Sequence, residues 1–154
     1  LDADLLPCLN TLSKNLKLAC HIFSEHDIQP VFEMINGSDM PRFLVQNIAQ
    51  AQEMLEAVQH PALKMQYDCY HMAMMGEDVL QGLQENIQAI GHIQFADCPG
   101  RHEPDTAQIM YANIFEWLQH SSYDGFIAAE YRPKTVSTQS FAWKAKYFAA
   151  HPQS

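Results

Sequence analysis

The chain has 154 residues, 47% of them hydrophobic and 18% charged, which suits one globular domain with a sizeable core. Nine Lys+Arg against 18 Asp+Glu give a net charge of −9, a poor match for nucleic acid or an anionic membrane surface, both of which call for basic residues. No apolar run nears the roughly 18–20 residues of a spanning helix, and the N-terminal LDADLLPCLN lacks the basic and apolar regions of a signal peptide.

In chain order, residues 3–26 read as a helix, because Leu5, Leu9, Leu12, Leu16, Ala19 and Phe23 recur at steps of three and four. Residues 28–35 read as a strand ending in the turn Asn36-Gly37. Asp39 is expected to cap a second helix with Pro41 in its first turn. Leu44, Ile48, Ala51 and Leu55 would be its buried stripe. A strand over 62–68 precedes a helix over 76–88 with Val79, Leu83 and Ile87 four apart. A third strand covers 90–96, and a loop over 97–106 leads to a helix over 106–121 with Met110, Ile114 and Trp117 on one side. The fourth strand is 126–131 and the last helix 136–149.

Strands thus begin near 28, 62, 90 and 126, at steps of 34, 28 and 36, each with a helix between. That spacing makes right-handed crossovers and a parallel α/β sheet. Four such units are half of a (β/α)8 TIM barrel, whose full form needs about 200–250 residues. A small doubly wound sheet is the alternative, although its Gly-rich phosphate turn is absent. As a half-barrel, residues 1–154 are expected to form a single domain whose open edges a missing half, a second copy or another protein would have to cover. Cys8, Cys20, Cys69 and Cys98 form no CxxC pair and read as reduced, mostly packing thiols in a cytoplasmic protein.

Strands buried on both faces should be apolar throughout. These four break that rule near their C-terminal ends, with Glu33, Asp68, Gln94 and Glu130. Taken singly, each reads as a solvated strand end or a helix cap. Four at equivalent positions read as a site at the barrel mouth, where barrel enzymes keep their chemistry. Three carboxylates repel unless a cation joins them. Three carboxylates and an amide carbonyl suit hard Mg²⁺ or Mn²⁺ over zinc.

The runs Tyr67-Asp68-Cys69-Tyr70-His71-Met72, Gly91-His92-Ile93-Gln94-Phe95-Ala96-Asp97, Pro99-Gly100-Arg101-His102-Glu103-Pro104 and Ala129-Glu130-Tyr131-Arg132-Pro133 resemble the hydroxypyruvate isomerase family of xylose-isomerase-like TIM barrels, close to the 2-oxo-tetronate isomerases. Phe32-Glu33-Met34-Ile35-Asn36 fits as well. The similarity runs from about residue 5 to residue 149 and matches that family's C-terminal half. It implies that Glu33, Asp68, Gln94 and Glu130 are the metal ligands, and that Glu33 and Glu130 are catalytic, passing a proton through an enediolate between hydroxypyruvate and tartronate semialdehyde. It places His71 on a substrate oxygen. Arg101 is the natural partner of the substrate carboxylate, against a plain reading in which it pairs with Glu103 or Asp105. Where the family has Gly-Thr-Gly after this loop, the chain has Asp105-Thr106-Ala107, which stiffens it. His92 reads as a layer residue below the metal, Met72, Met74 and Met75 as packing, and Trp117 and Trp143 as core. Lys64 either pairs with an acid or tilts to solvent. The competing readings are a sugar epimerase, an apurinic-site endonuclease (disfavoured by Gln94 and by the charge) and an inactive or partner-binding half-barrel. Of the 154 residues alone, weak or no turnover is expected.

Overall fold

The computed structural model describes residues 5–148. Its elements are α1 (Leu5–Ser24), β1 (Val31–Glu33), α2 (Ile48–Val58), β2 (Lys64–Asp68), α3 (Cys69–Met74), α4 (Val79–Asn86) with a 3₁₀ turn at Ile87–Ala89, β3 (Ile90–Phe95), α5 (Tyr111–His120), β4 (Phe126–Ala129) and α6 (Ala142–Phe148). The strands form one sheet in the order β1-β2-β3-β4, every pair parallel. A sheet that adds each new strand on the same side is the barrel topology. A doubly wound sheet would reverse direction at a switch point, so that alternative falls.

Alternation along the strands separates two faces. Met65, Tyr67, Ile93 and Phe95 point outward and are buried, in one core with Leu83, Tyr111, Ile114, Phe115 and Trp143. Phe95 meets Tyr111, Phe115 and Trp143 at ring distances of 5.7, 5.2 and 5.1 Å. Gly82 brings α4 hard against β2: a Cβ there would collide with the Tyr67 hydroxyl, which donates to Val79 O at 3.1 Å. The inward residues Glu33, Gln66, His92 and Gln94 are only half-buried, as the inner wall of an open half-barrel must be.

Several sequence expectations are corrected. β1 is three residues long, not eight: Ile28 N bonds back to Phe23 O and Ile35 N to Val45 O, outside the sheet. Asp39 caps no helix. Residues 37–44 are turns, and Arg42 has a left-handed φ of 68°, which no helix tolerates. The cap is Asn47, whose side chain accepts from Gln50 N at 2.9 Å. α3 was not anticipated; it starts directly from β2 on the Asp68 side chain. Met110 lies before α5 and is exposed, so the buried stripe is Tyr111, Ile114, Phe115 and Leu118, with Trp117 half-buried. The strand expected over 126–131 ends at Ala129. The last helix begins at Ala142 rather than 136. Residues 3, 4 and 149 of the expected helices lie outside the described residues. All four cysteines are free thiols, and Cys20, Cys69 and Cys98 are buried.

Candidate active site

The sheet register shows why the strand-end polar residues meet. Glu33 pairs with Gln66, Gln66 with His92, and His92 with Phe126. From that line, Asp68 and Gln94 stand two residues further along and Glu130 four. A barrel of shear 8 gains about one residue of register per strand, so a staircase of this pitch is a level ring about the barrel axis. Glu130 lies one residue past β4, but its N–H still donates to Phe95 O at 3.1 Å, which extends the ladder to it.

Asp68 has two jobs, one per oxygen. Oδ1 accepts from Tyr70 N at 2.8 Å and caps α3. Oδ2 faces the mouth, 3.4 Å from Arg101 Nη2 and 3.8 Å from His71 Nε2. One oxygen therefore caps α3 while the other stays turned to the mouth. Its carboxyl is wholly buried, and burial pushes its pKa up to about 7 in spite of the Tyr70 N–H and the Arg101 charge. Burial also raises Glu33, helped by the nearby Glu130 charge.

Gln66 Nε2 donates to Gln94 Oε1 at 2.6 Å. That bond turns the Gln94 carbonyl to the inner wall while its second lone pair stays available. Arg101 reaches the site and not its loop neighbours. One nitrogen, Nη2, donates to both Glu130 and Asp68, and the guanidinium lies 5.0 Å over the Tyr70 ring. Glu103 instead takes Lys134 N, and Asp105 takes Lys146 and Tyr147. His71 sits 3.8 Å from both Glu33 Oε1 and Asp68 Oδ2. Burial, followed by the Arg101 charge, lowers its pKa to about 4 and leaves it neutral at pH 7.

Donor atoms of Glu33, Asp68 and His71 all lie within 4.8 Å of one another. Burial raises the pKa of both Glu33 and Asp68, Arg101 bonds Asp68 and Glu130 but not Glu33, and Gln94 lies on the next strand at the Asp68 level. Such a set fits a hard divalent cation, which would relieve the cost of burying their charge. Glu130, more exposed and held by Arg101, stands at the far side of the ring. The other residues singled out lie elsewhere. His92 is one level below Gln94. Lys64 Nζ donates to Gln88 O at the opposite end of the sheet and pairs with no acid among the described residues. Met72 packs in the core.

Two groups had no assigned role in the sequence. Asp97 is wholly buried, and its carboxylate accepts five backbone N–H groups, from Cys98, Thr106, Ala107, Gln108 and Ile109, at 2.8–3.0 Å. It thereby fixes the loop that carries Arg101. Asn36, which reads as a turn residue, is wholly buried against His71. Only its place in the Phe32–Asn36 run hinted at a role.

A family model described as a xylose isomerase-like TIM barrel matches residues 2–147. The 2-oxo-tetronate isomerase of Cupriavidus necator is 36% identical over 95% of this chain and 56% of that protein. The hydroxypyruvate isomerase of Escherichia coli is 35% identical over 89% of this chain and 53% of that protein. The chain thus spans about half the length of the curated relatives it matches. A solved structure described as an AP endonuclease, family 2, from Brucella melitensis superposes with a TM-score of 0.89 at 29% identity, covering 95% of this chain and 57% of that one. A 3-keto-D-glucoside 4-epimerase from Escherichia coli shares the fold at a TM-score of 0.82 and 21% identity, covering 95% of this chain and 56% of that one.

Proposed function

The chain belongs to the xylose isomerase-like TIM barrel family, and on that premise we propose that it carries the reacting half of a metal-dependent isomerase interconverting hydroxypyruvate and tartronate semialdehyde. The observation that carries this reading is the level ring of Glu33, Asp68, Gln94 and Glu130 at the mouth, with His71 and Arg101 turned into it. The names of the Escherichia coli and Cupriavidus necator relatives support it.

The reaction moves a carbonyl by one carbon. A proton leaves the hydroxymethyl carbon, its electrons form an enediolate, and a proton returns to the neighbouring carbon. The hydroxyl proton passes to the former carbonyl oxygen. Glu33 and Glu130, on the first and last strands of the ring, take and return the carbon-bound proton. Burial makes Glu33 hold a proton more readily than an exposed carboxylate. A Mg²⁺ or Mn²⁺ ion held by Glu33, Asp68, Gln94 and Glu130 would supply a Lewis acid for the substrate oxygens. Arg101 spends only Nη2 on Asp68 and Glu130, leaving the N–H groups of Nη1 for an oxygen of the substrate carboxylate. His71 hydrogen-bonds a substrate oxygen.

A four-carbon 2-oxo acid is the second reading, favoured by the 36% identity to the Cupriavidus necator enzyme. In either case we assign a small hydroxy-keto acid as partner and exclude nucleic acid on the net charge of −9. No described helix is long and apolar enough to cross a membrane; the four free cysteines support our assignment of the chain to the cytoplasm. Four strands are half a closed barrel, so we expect full activity to need four more, from a longer chain or a second copy. The test is isomerisation of hydroxypyruvate and of 2-oxo-tetronate by this chain with Mg²⁺ or Mn²⁺, with its mass in solution recorded alongside. Weak or absent turnover by the monomer is the expected result. Robust turnover by a monomer would overturn the need for a second half.

A further inference from the structure

His71 has different neighbours at its two nitrogens. Nε2 faces the carboxylates of Glu33 and Asp68 at 3.8 Å. Nδ1 faces Asn36 twice: the backbone N–H at 3.3 Å and the side-chain Nδ2 at 2.6 Å. The orientation of the Asn36 amide is not free. Its Oδ1 accepts from Ser38 N at 3.0 Å and Asp39 N at 2.8 Å, and its Nδ2 donates to Asp39 Oδ2 at 3.0 Å. Asp39 is itself held by the Tyr70 hydroxyl at 2.8 Å. Turning the amide over would set a carbonyl against a carboxylate and an NH₂ against two N–H groups. So two N–H donors converge on Nδ1, and a neutral imidazole has a single proton to place. On Nδ1 that proton would leave three donors facing one another without an acceptor in a buried pocket.

We propose that Asn36 is a positioning residue that fixes the tautomer of His71, keeping the proton on Nε2 so that the ring meets the site as a donor to a substrate oxygen and not as a metal ligand. At 3.8 Å the Nε2–H is too far from either carboxylate to bond it, so it points into the gap between them, where a small oxygen ligand is received. Ligation through Nε2 needs a lone pair there. The proton would have to move to Nδ1, breaking both contacts with Asn36. The Glu33, Asp68 and His71 cluster therefore divides: the carboxylates go to the cation and the histidine to the substrate. The assignment of His71 to a substrate rests on the reading above; the tautomer does not.

The test needs no turnover, so its outcome is separate from the substrate question. Long-range ¹H–¹⁵N correlation of the histidine-labelled chain at neutral pH distinguishes the two tautomers, and His71→Gln identifies the signal. The expected spectrum has Nε2 protonated and Nδ1 as acceptor, with and without Mg²⁺. A protonated Nδ1 in the unaltered chain, or loss of the Nε2 proton when Mg²⁺ is added, overturns the proposal. Asn36→Asp keeps the acceptor for Ser38 and Asp39 but reverses polarity toward the ring. Combined with Asp39→Asn, it keeps one hydrogen bond between the two side chains, and it should move the proton to Nδ1. A folded double variant with the tautomer unchanged also overturns it. If the variant does not fold, the spectrum of the unaltered chain decides.

Discussion

Arg101 Nη2 lies 3.4 Å from Asp68 Oδ2, yet this positive charge does not hold the Asp68 proton off. Burial outweighs it, and the carboxyl titrates near 7. His71, 3.8 Å from the same oxygen, moves the other way, down to about 4. In chelator, the two shifts have opposite signs in stability. A raised Asp68 means that the folded chain binds the extra proton between about 3.8 and 7, so stability falls as pH rises through that window. A lowered His71 means that the unfolded chain binds it between about 4 and 6.5, so stability rises through that window. As far as these two groups set it, the expected profile of the unaltered chain is flat over about pH 4–6.5 and falls from there to about 7. Denaturant titrations should separate them: Asp68→Asn leaves stability rising with pH, and His71→Gln leaves it falling. The same slope in both variants contradicts the assignment.

Cation binding should follow the division of the cluster. Asp68→Asn and Glu33→Gln are expected to weaken Mn²⁺ binding by about tenfold or more, the scale at which even outer partners of a metal matter. His71→Gln should change it by less than about threefold, under 1 kcal/mol. Calorimetric titration checks both, and equal losses in all three variants would make His71 a ligand after all.

Asp97 predicts a local effect on the Arg101 loop. Asp97→Asn keeps Oδ1 for Cys98, Gln108 and Ile109 but sets an NH₂ against Thr106 N and Ala107 N. The expected cost is about 2–4 kcal/mol. Hydrogen exchange should accelerate at residues 106 and 107 first. Uniform acceleration across the sheet would point to global unfolding instead.

Asp105 holds a left-handed turn without being glycine, and its side chain ties that turn down. Its φ is 70°, a left-handed value that costs a non-glycine residue about 1 kcal/mol. Its carboxylate ties the loop to α6 through Lys146 Nζ at 2.7 Å and the Tyr147 hydroxyl at 2.5 Å. Asp105→Ala keeps the strain and loses the tie, whereas Asp105→Gly loses both. Thermal melts should place the alanine variant below the glycine variant by about 1 kcal/mol; the reverse order would show that the backbone is unstrained.

The ring of polar strand ends was legible because a parallel sheet gives polar residues so few innocent places. Glu33, Asp68, Gln94 and Glu130 stood out against Val31, Met65, Ile93 and Ile127. The order of the strands followed from their spacing. Asp39 was misread because Asp followed by Pro two residues on is a helix-start pattern, and nothing local says that Asn36 and Tyr70 will take its carboxylate. α3 has no hydrophobic period of its own over Cys69–Met74 and starts directly from the end of β2, so no sequence pattern marks it. Gln66 and Asn36 act through contacts 28 and 35 residues away in sequence, and no spacing rule reaches that far.

On the proposed function, the mouth of this half-barrel carries out metal-dependent proton transfer by Glu33 and Glu130. The most direct measurement is formation of tartronate semialdehyde from hydroxypyruvate by this chain co-assembled with the N-terminal half of the Cupriavidus necator relative, with Mn²⁺ or with chelator. Turnover is expected to require the cation and to fall by about 10²-fold or more in Glu33→Gln and in Glu130→Gln. Turnover that survives chelation, or that either glutamine variant leaves unchanged, would contradict it.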